Sequence, residues 1–180
     1  MMKKLLFLIL IFIIGCAHGV QKGDSTYHFA VKIPKGWWQL ETDKYFLITK
    51  DNPYLQYALI QERPIDKAFQ HTKKKLERGM LPQEAADVIL DEIGADINVL
   101  NFELIENTPA TIDGHEGFRI LFTYQDKNGS TFKTLYYGFI KGNIFYNLRY
   151  TAAKRHYFQK DLKTFESFLD SFRLIKSQAT

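Results

Sequence analysis

The chain has 180 residues, of which 46% are hydrophobic and 24% are charged, and its formal net charge is +4. These proportions are typical of a globular protein and exclude an intrinsically disordered one. With 5 Pro and 11 Gly the chain is not collagen-like, and a single Cys excludes a disulfide scaffold. Its length predicts one domain, and 15 Phe and 10 Tyr predict a large aromatic core.

The first fifteen residues have the composition of a secretory signal peptide. Two lysines precede an apolar run over residues 5–14, and Gly15 and Cys16 follow. At ~1.5 Å per residue, this run spans about half of a ~30 Å hydrocarbon core, so it is too short for a membrane-spanning helix. Residues 13–16, Ile-Ile-Gly-Cys, resemble the lipobox of bacterial lipoproteins. That resemblance implies removal of residues 1–15 and lipid attachment, including palmitate, at Cys16.

A lipid of two or three acyl chains at Cys16 predicts permanent membrane anchoring, because stable attachment needs at least two chains. Ala17 follows where proteobacterial lipoproteins retained in the inner membrane have Asp, so we expect a cell-envelope protein on the outer membrane, facing the periplasm. The alternative is a soluble exported protein cleaved nearby. Loss of the leader lowers the net charge of +4 by two, which argues against a nucleic-acid partner.

The N-terminal part of the remaining chain is predicted to be a tether followed by strands. Residues 17–24 are small and polar, so 16–25 are interpreted as the lipidated cysteine with a flexible tether reaching ~25–30 Å, and 26–180 as a single domain. Alternating apolar residues and turn signals then predict four short strands. They cover Tyr27–Ile33, Trp37–Leu40, Tyr45–Thr49 and Leu55–Gln61.

A helix and an antiparallel meander are predicted next. Pro82 is suited to the first turn of a helix, and apolar residues then recur at spacings of three and four as far as Ile97. A strand is expected over 99–106. Three alternating runs follow, separated by Asn-Gly and Gly-Asn dipeptides that favour two-residue hairpin turns. These runs are Gly117–Gln125, Thr131–Lys141 and Ile144–Thr151.

A second amphipathic helix is predicted from about Arg155. Its apolar residues, from Phe158 to Phe172, step by four and three, and polar residues occupy the remaining surface. Both sides of the predicted meander carry apolar residues, which favours coverage by helices on two faces. We therefore predict an α+β fold, an α/β/α sandwich with a mostly antiparallel sheet of about six or seven strands.

Several segments together resemble the PsbP-like superfamily. They are residues 29–37 (Phe-Ala-Val-Lys-Ile-Pro-Lys-Gly-Trp), 114–118 (Gly-His-Glu-Gly-Phe), 144–148 (Ile-Phe-Tyr-Asn-Leu) and the final Ser171-Phe172. That superfamily includes the extrinsic lumenal protein of photosystem II, the Ran-binding Mog protein and many small bacterial lipoproteins. The resemblance implies an α/β/α sandwich that binds partner proteins, and it carries over no catalytic residues or cofactor.

Asp113, His115 and Glu116 place three potential metal ligands close together. A metal site usually needs a third or fourth convergent ligand, and Asp113-Gly114 is also an ordinary turn signal, so no metal, cofactor or catalytic residue is predicted. The sequence contains neither a Gly-x-Ser-x-Gly nor a His-Glu-x-x-His motif. The alternative is a ligand or enzyme pocket near His115 and Glu116, lined also by tyrosines.

Two features are candidates for an interaction surface. Lys73, Lys74 and Lys75 form a basic run that could contact anionic headgroups, although such a run is more often a solvated helix face or loop. Adjacent Trp37 and Trp38 must point to opposite faces of a strand, so one is expected in the core and Trp38 could be an interface residue. The sequence as a whole predicts a membrane-anchored, non-catalytic module that binds envelope proteins.

Overall fold

The computed structural model describes residues 27–175. The predicted leader, the lipid at Cys16 and the tether over 16–25 lie outside these residues, so all three stay predictions. Within the described part, no helix is both long and apolar enough to span a bilayer.

Nine strands and two helices make up residues 27–175. Helix α1 covers Pro82–Gly94 and helix α2 covers Tyr157–Asp170. The strands are β1 (Phe29–Ala30), β2 (Trp38–Leu40), β3 (Phe46–Thr49), β4 (Gln56–Pro64), β5 (Leu100–Ile112), β6 (His115–Gln125), β7 (Thr131–Lys141), β8 (Ile144–Ala153) and β9 (Arg173–Leu174).

Seven strands form one antiparallel sheet in the order β2-β3-β4-β8-β7-β6-β5, and β1 pairs with β9 in a separate two-stranded sheet. The predicted meander is present as β6, β7 and β8. Gly142 and Asn143 form the expected two-residue turn between β7 and β8. The connection from β6 to β7 is longer, because the Asp126 carboxylate accepts hydrogen bonds from the N–H groups of Asn128 and Ser130 and closes a five-residue loop.

Side chains of the sheet alternate between two apolar clusters. We call the side covered by α2 and by the β1–β9 pair the α2 face; it contains Leu135, Phe139, Tyr146, Leu148 and Tyr150. We call the other side the α1 face; it contains Phe118, Ile120, Phe122, Tyr136 and Phe145 under α1 and the segment 65–76. Apolar burial on both faces confirms the predicted α+β sandwich.

Several predicted elements have different limits in the structure; β4, for example, ends at Pro64 rather than at Gln61. A strand is expected over 27–33, but only the two residues of β1 form strand hydrogen bonds, because their pairing partner, β9, is itself only two residues long. Helix α1 ends at Gly94 rather than near Ile97, because an Asp96 side chain accepts the N–H of Asn98 in a turn. Strand β5 continues to Ile112 rather than ending at 106, because an edge strand tolerates Pro109.

Candidate functional site

Asp113 and Gly114 form a tight turn at one end of the sheet. Their φ angles are +47° and +75°, and Ile112 pairs with His115 across the turn. The Asp113 carboxylate accepts the N–H of Leu174 at 2.8 Å and lies 3.7 Å from the Arg173 guanidinium. Asp113 therefore ties the hairpin to β9, and the turn interpretation of this motif agrees with the structure.

His115 lies between two open pockets. Its ring stacks on Phe139, with ring centroids 5.3 Å apart. One pocket, of about 370 Å³, is also lined by Arg78, Met80 and Glu116, and it reaches the start of α1. The other, of about 510 Å³, is largely apolar and is lined by His28, Asp113, His115, Lys141, Ile144, Tyr146, Leu174 and Ile175. The structure thus provides a concave site next to His115 and Glu116.

The side chains around His115 are groups that can bind a ligand. Burial raises the pKa of Tyr146 to about 12, so its phenol is protonated at neutral pH and is a hydrogen-bond donor. Among residues 27–175, no group of three or more His, Cys, Asp or Glu side chains is arranged to hold a metal ion. His115 and Lys141, which line both pockets, can recognise a polar or anionic group at the rim.

The lysine run lies elsewhere, in the exposed segment between β4 and α1. Lys73 has a φ of +61° and its ammonium donates to the Gln70 carbonyl, 2.7 Å away. The Lys74 ammonium pairs with the Asp91 carboxylate in the second half of α1, and Lys75 is exposed. The lysine run is therefore part of a loop rather than of a helix face. Two of its three ammonium groups, those of Lys73 and Lys74, interact with other groups of the same domain.

The two tryptophans point to opposite sides of the sheet. Trp37 is buried against Tyr150, with ring centroids 6.3 Å apart, while 46% of Trp38 is exposed near the β2 edge. An exposed indole at a sheet edge keeps Trp38 available as a contact residue. The structure does not bring Trp38, the lysine run and His115 together into one site.

The sequence did not indicate the other edge of the sheet as a surface. Strand β5 is the last strand in the order, and no described strand pairs with its outer side. Four large apolar side chains on or just before its first half are exposed: Ile97, Leu100, Leu104 and Ile105, which we call the β5 edge patch. The run of apolar residues was visible, but the strand order that leaves it at an edge depends on long-range pairing.

The fold is similar to several solved structures. No known protein family matches the sequence, and no curated protein is significantly similar to it. The solution structure of cyanobacterial PsbP (CyanoP) from Synechocystis sp. PCC 6803 matches with a TM-score of 0.62 at 12% identity, over 93% of this chain and 98% of that one. At these identities the likeness shows the fold alone.

Two further structures share the architecture. LpqN of Mycobacterium tuberculosis, involved in cell envelope biogenesis, has a TM-score of 0.55 at 15% identity over 82% of this chain and 83% of its own. The Ran-binding protein Mog1p of Saccharomyces cerevisiae has a TM-score of 0.53 at 8% identity over 82% and 90%. A Bacteroides thetaiotaomicron structure matches at a TM-score of 0.50 and 13% identity over 84% of this chain, which spans only 47% of that protein. The PsbP-like fold expected from the sequence is therefore present.

Proposed function

We propose that this protein is a cell-envelope lipoprotein, anchored through Cys16, whose sandwich domain binds a partner protein without catalysing a reaction. The observation that carries the binding role is the β5 edge patch. Soluble monomers usually protect a long edge strand, whereas β5 exposes three large apolar side chains, with Ile97 just before it. The similar folds of LpqN, which is involved in cell envelope biogenesis, and of Ran-binding Mog1p support the envelope setting and the binding role, whereas the anchor rests on the lipobox resemblance at Cys16.

Recognition at this edge would use the open backbone groups of β5 together with its apolar side chains. A partner strand added beside β5 would satisfy the outward N–H and C=O groups and cover Leu104 and Ile105. The exposed Glu103 carboxylate next to these residues favours a partner segment that carries basic residues. The register shifts between Leu100 and Glu103 and between Leu104 and Glu106, together with the missing N–H of Pro109, limit how far such pairing can extend.

Photo-crosslinking in intact cells tests the binding role. A crosslinking amino acid at Ile105 should give a discrete covalent product, and Leu104→Asp in the same chain should abolish it. The matched control is the same crosslinker at Tyr54, which is 84% exposed and lies in the turn before β4. Equal products from both positions, or none from Ile105, would contradict a specific interface at the β5 edge.

Fractionation tests the anchor separately. The wild-type chain should sediment with membranes and resist high-salt washing, because acyl chains hold it independently of charge. Cys16→Ser should release the protein from membranes or block removal of the leader. A Cys16→Ser variant that is processed and remains membrane-bound would show that the cysteine is not the anchor.

A second candidate function is binding of a small ligand beside His115. It is favoured by the apolar pocket of about 510 Å³ with Lys141 and two histidines around it. A medium-chain fatty acid such as octanoate fits this combination, with its carboxylate at Lys141 and its chain on Ile144 and Leu174. Saturable binding of octanoate that Lys141→Gln weakens and Lys127→Gln does not would support this function, and unchanged binding in Lys141→Gln would exclude it.

A further inference from the structure

A separate cavity opens on the α1 face beyond the C-terminal end of α1. Its volume is about 420 Å³, which is within the range of small-molecule sites. Side chains of β4, β6, β7 and β8 line it from the sheet, and the end of α1 and the turn after it form its wall. The residues that matter here are Arg149, Tyr57, Tyr124, Glu92, Asp96 and Asp126. None of them lines either pocket beside His115.

Arg149 is the cation of this cavity and lacks a counter-charge. It extends from β8 and is mostly buried; its Nε is enclosed and has no hydrogen-bond partner among residues 27–175. No carboxylate of the described chain forms an ion pair with it. Its guanidinium carbon lies 5.8 Å from the centroid of the Tyr57 ring. A guanidinium withdrawn from water and without an ion-pair partner favours an anion as ligand.

Three carboxylates line the same cavity, and each of them accepts hydrogen bonds from neighbouring N–H groups and forms no ion pair with Arg149. Glu92 accepts the N–H groups of His71 and Thr72 at 3.0 and 2.9 Å. Asp96 and Asp126 accept the N–H groups of the residues two positions later, at 2.9 and 3.0 Å. The His71 imidazole also lines the cavity and lies 3.7 Å from the Asp96 carboxylate. Glu92 is therefore fixed by residues 71 and 72, and Asp96 and Asp126 are each fixed by their own turn.

These hydrogen bonds also keep two of the carboxylates ionised. Burial acts to raise the pKa of Glu92, but the N–H groups of Thr72 and His71 outweigh burial and lower it. The same opposition, with donors from Asn98, lowers the pKa of Asp96. At neutral pH the cavity thus contains an unpaired guanidinium at the sheet and negative charge at its wall.

Tyr124 lines the same cavity as Arg149, Asp96 and Asp126 and adds a hydroxyl group to it. Burial raises the pKa of Tyr124, so the phenol is protonated and can donate to a ligand. The rings of Tyr57, Phe122 and Tyr124 provide apolar contact within the same cavity.

The positive charge of Arg149 and the negative charges of the carboxylates together determine which kind of ligand can bind in this cavity. A simple anion would pair with Arg149 but be repelled by the carboxylates, and a simple cation would leave the guanidinium unpaired. A molecule that carries a carboxylate and an ammonium group satisfies both ends. We propose that this cavity binds a free amino acid or a zwitterion of similar size, with its carboxylate on Arg149 and its ammonium group toward Asp96 and Asp126. This proposal does not depend on the lipid anchor or on the β5 edge patch.

Titration of the purified full-length protein with three matched probes tests the class. L-Phenylalanine has both charges, 3-phenylpropionate lacks the ammonium group, and 2-phenylethylamine lacks the carboxylate. Backbone amide shifts in NMR spectra should move saturably with L-phenylalanine at residues around Arg149 and Asn98. Both single-charge probes should bind at least about tenfold more weakly, which corresponds to ~1.4 kcal/mol. Equal affinity for 3-phenylpropionate, or no saturable shift with L-phenylalanine, would overturn the proposal.

Variants assign the interaction to Arg149. Arg149→Gln should weaken L-phenylalanine binding at least about tenfold, and Arg149→Lys should weaken it less, because lysine keeps the charge but not the two-pronged geometry. Arg119→Gln is the matched control, since Arg119 lies on the α2 face and pairs with Glu106 at 2.6 Å. If Arg149→Gln does not fold, Asp96→Asn supplies an independent test at the ammonium end. Unchanged affinity in a folded Arg149 or Asp96 variant would contradict the assignment.

Discussion

The two faces of the sheet differ in how completely they are covered. On the α2 face, aromatic rings from α2, β1 and the sheet pack against one another, and the Tyr150 hydroxyl donates to the Tyr157 carbonyl at 3.0 Å. The buried Asp161 carboxylate is paired with the Lys50 ammonium at 2.9 Å, while the Trp37 indole N–H and the second Asp161 oxygen have no hydrogen-bond partner among residues 27–175. On the α1 face, α1 packs on β5, β6 and β7, and a charged cavity remains around Arg149.

This difference indicates a division of roles between the faces. A continuous apolar cluster stabilises the fold, since each buried aromatic side chain contributes several kilocalories per mole. A buried, unpaired charge does the opposite and is typical of sites that bind ligands. The α2 face should therefore account for most of the stability, and the α1 face should tolerate changes that improve it.

The largest expected effect is on the α2 face. Phe172 is fully buried and its ring centroid lies 5.5 Å from that of Phe29 and 6.1 Å from that of Phe139. Phe172→Ala should lower the free energy of unfolding by about 3–5 kcal/mol, because it leaves a cavity in this cluster. Urea denaturation measures the loss. Phe69→Ala on the α1 face should cost less, because Phe69 belongs to the loop segment that covers this face and 8% of it is exposed. An equal or larger loss there would remove the proposed asymmetry.

Close packing against a glycine gives the next largest effect. A Cβ at Gly138 would lie 2.4 Å from the Phe118 ring and 2.8 Å from the Phe145 ring, both on the α1 face. Gly138→Ala should therefore destabilise the fold by about 1–3 kcal/mol through overpacking. In Gly94→Ala, where no atom lies within 4 Å of the added methyl group, thermal unfolding should show no loss. Comparable destabilisation in both variants would contradict this packing.

The Glu92 hydrogen bonds predict a pH-dependent contribution from the wall of the charged cavity. Because the folded-state pKa of Glu92 is lowered, its contribution is complete above the unfolded pKa of about 4.3 and is lost as the pH falls through the folded value. Glu92→Gln should cost about 1–2 kcal/mol at pH 7. Denaturation at a series of pH values should show this difference shrinking below about pH 4. An unchanged difference in acid would contradict the role of the carboxylate, and the exposed Asp87→Asn is the control on the same helix.

The smallest effect should have the opposite sign. Arg149→Met removes an unpaired buried charge, so the free energy of unfolding should stay constant or rise by about 1 kcal/mol. The comparison is Arg119→Met on the α2 face, which breaks the ion pair with Glu106 and should cost about 0.5–1 kcal/mol. Chemical denaturation of both variants measures the two changes in the free energy of unfolding and their signs. A clear loss of stability in Arg149→Met would mean that the guanidinium supports the fold.

Local pattern was enough to predict the two helices and the meander. Pro82 is the first residue of α1, as predicted. The spacing of Phe158, Phe165 and Phe172 predicts that α2 packs on the sheet, and all three side chains are in the core of the α2 face. These signals lie within a single element, because the spacing of its apolar side chains and its flanking turn residues determine whether it forms a helix or a strand. The seven-stranded sheet and its coverage on both faces followed from the same residues.

The β5 edge patch and the cavity around Arg149 result from the pairing of strands that are far apart in the sequence. No local sequence pattern predicts that pairing. In β8, Asn147 and Arg149 alternate with apolar residues, which is the pattern of a strand with one solvated side. Because β8 lies between β4 and β7, that side is instead enclosed and Arg149 becomes part of a cavity. Leu104 and Ile105 were likewise visible as strand residues, while their exposure results from the position of β5 at the edge.

Intact-mass spectrometry of the protein extracted from native membranes tests the central claim most directly. If the protein is an anchored envelope module, its chain should begin at Cys16 and carry the added mass of a diacylglycerol with one or no further acyl chain. Detection of the chain with residues 1–15 still attached, or of Cys16 without a lipid, would contradict the anchored-lipoprotein account.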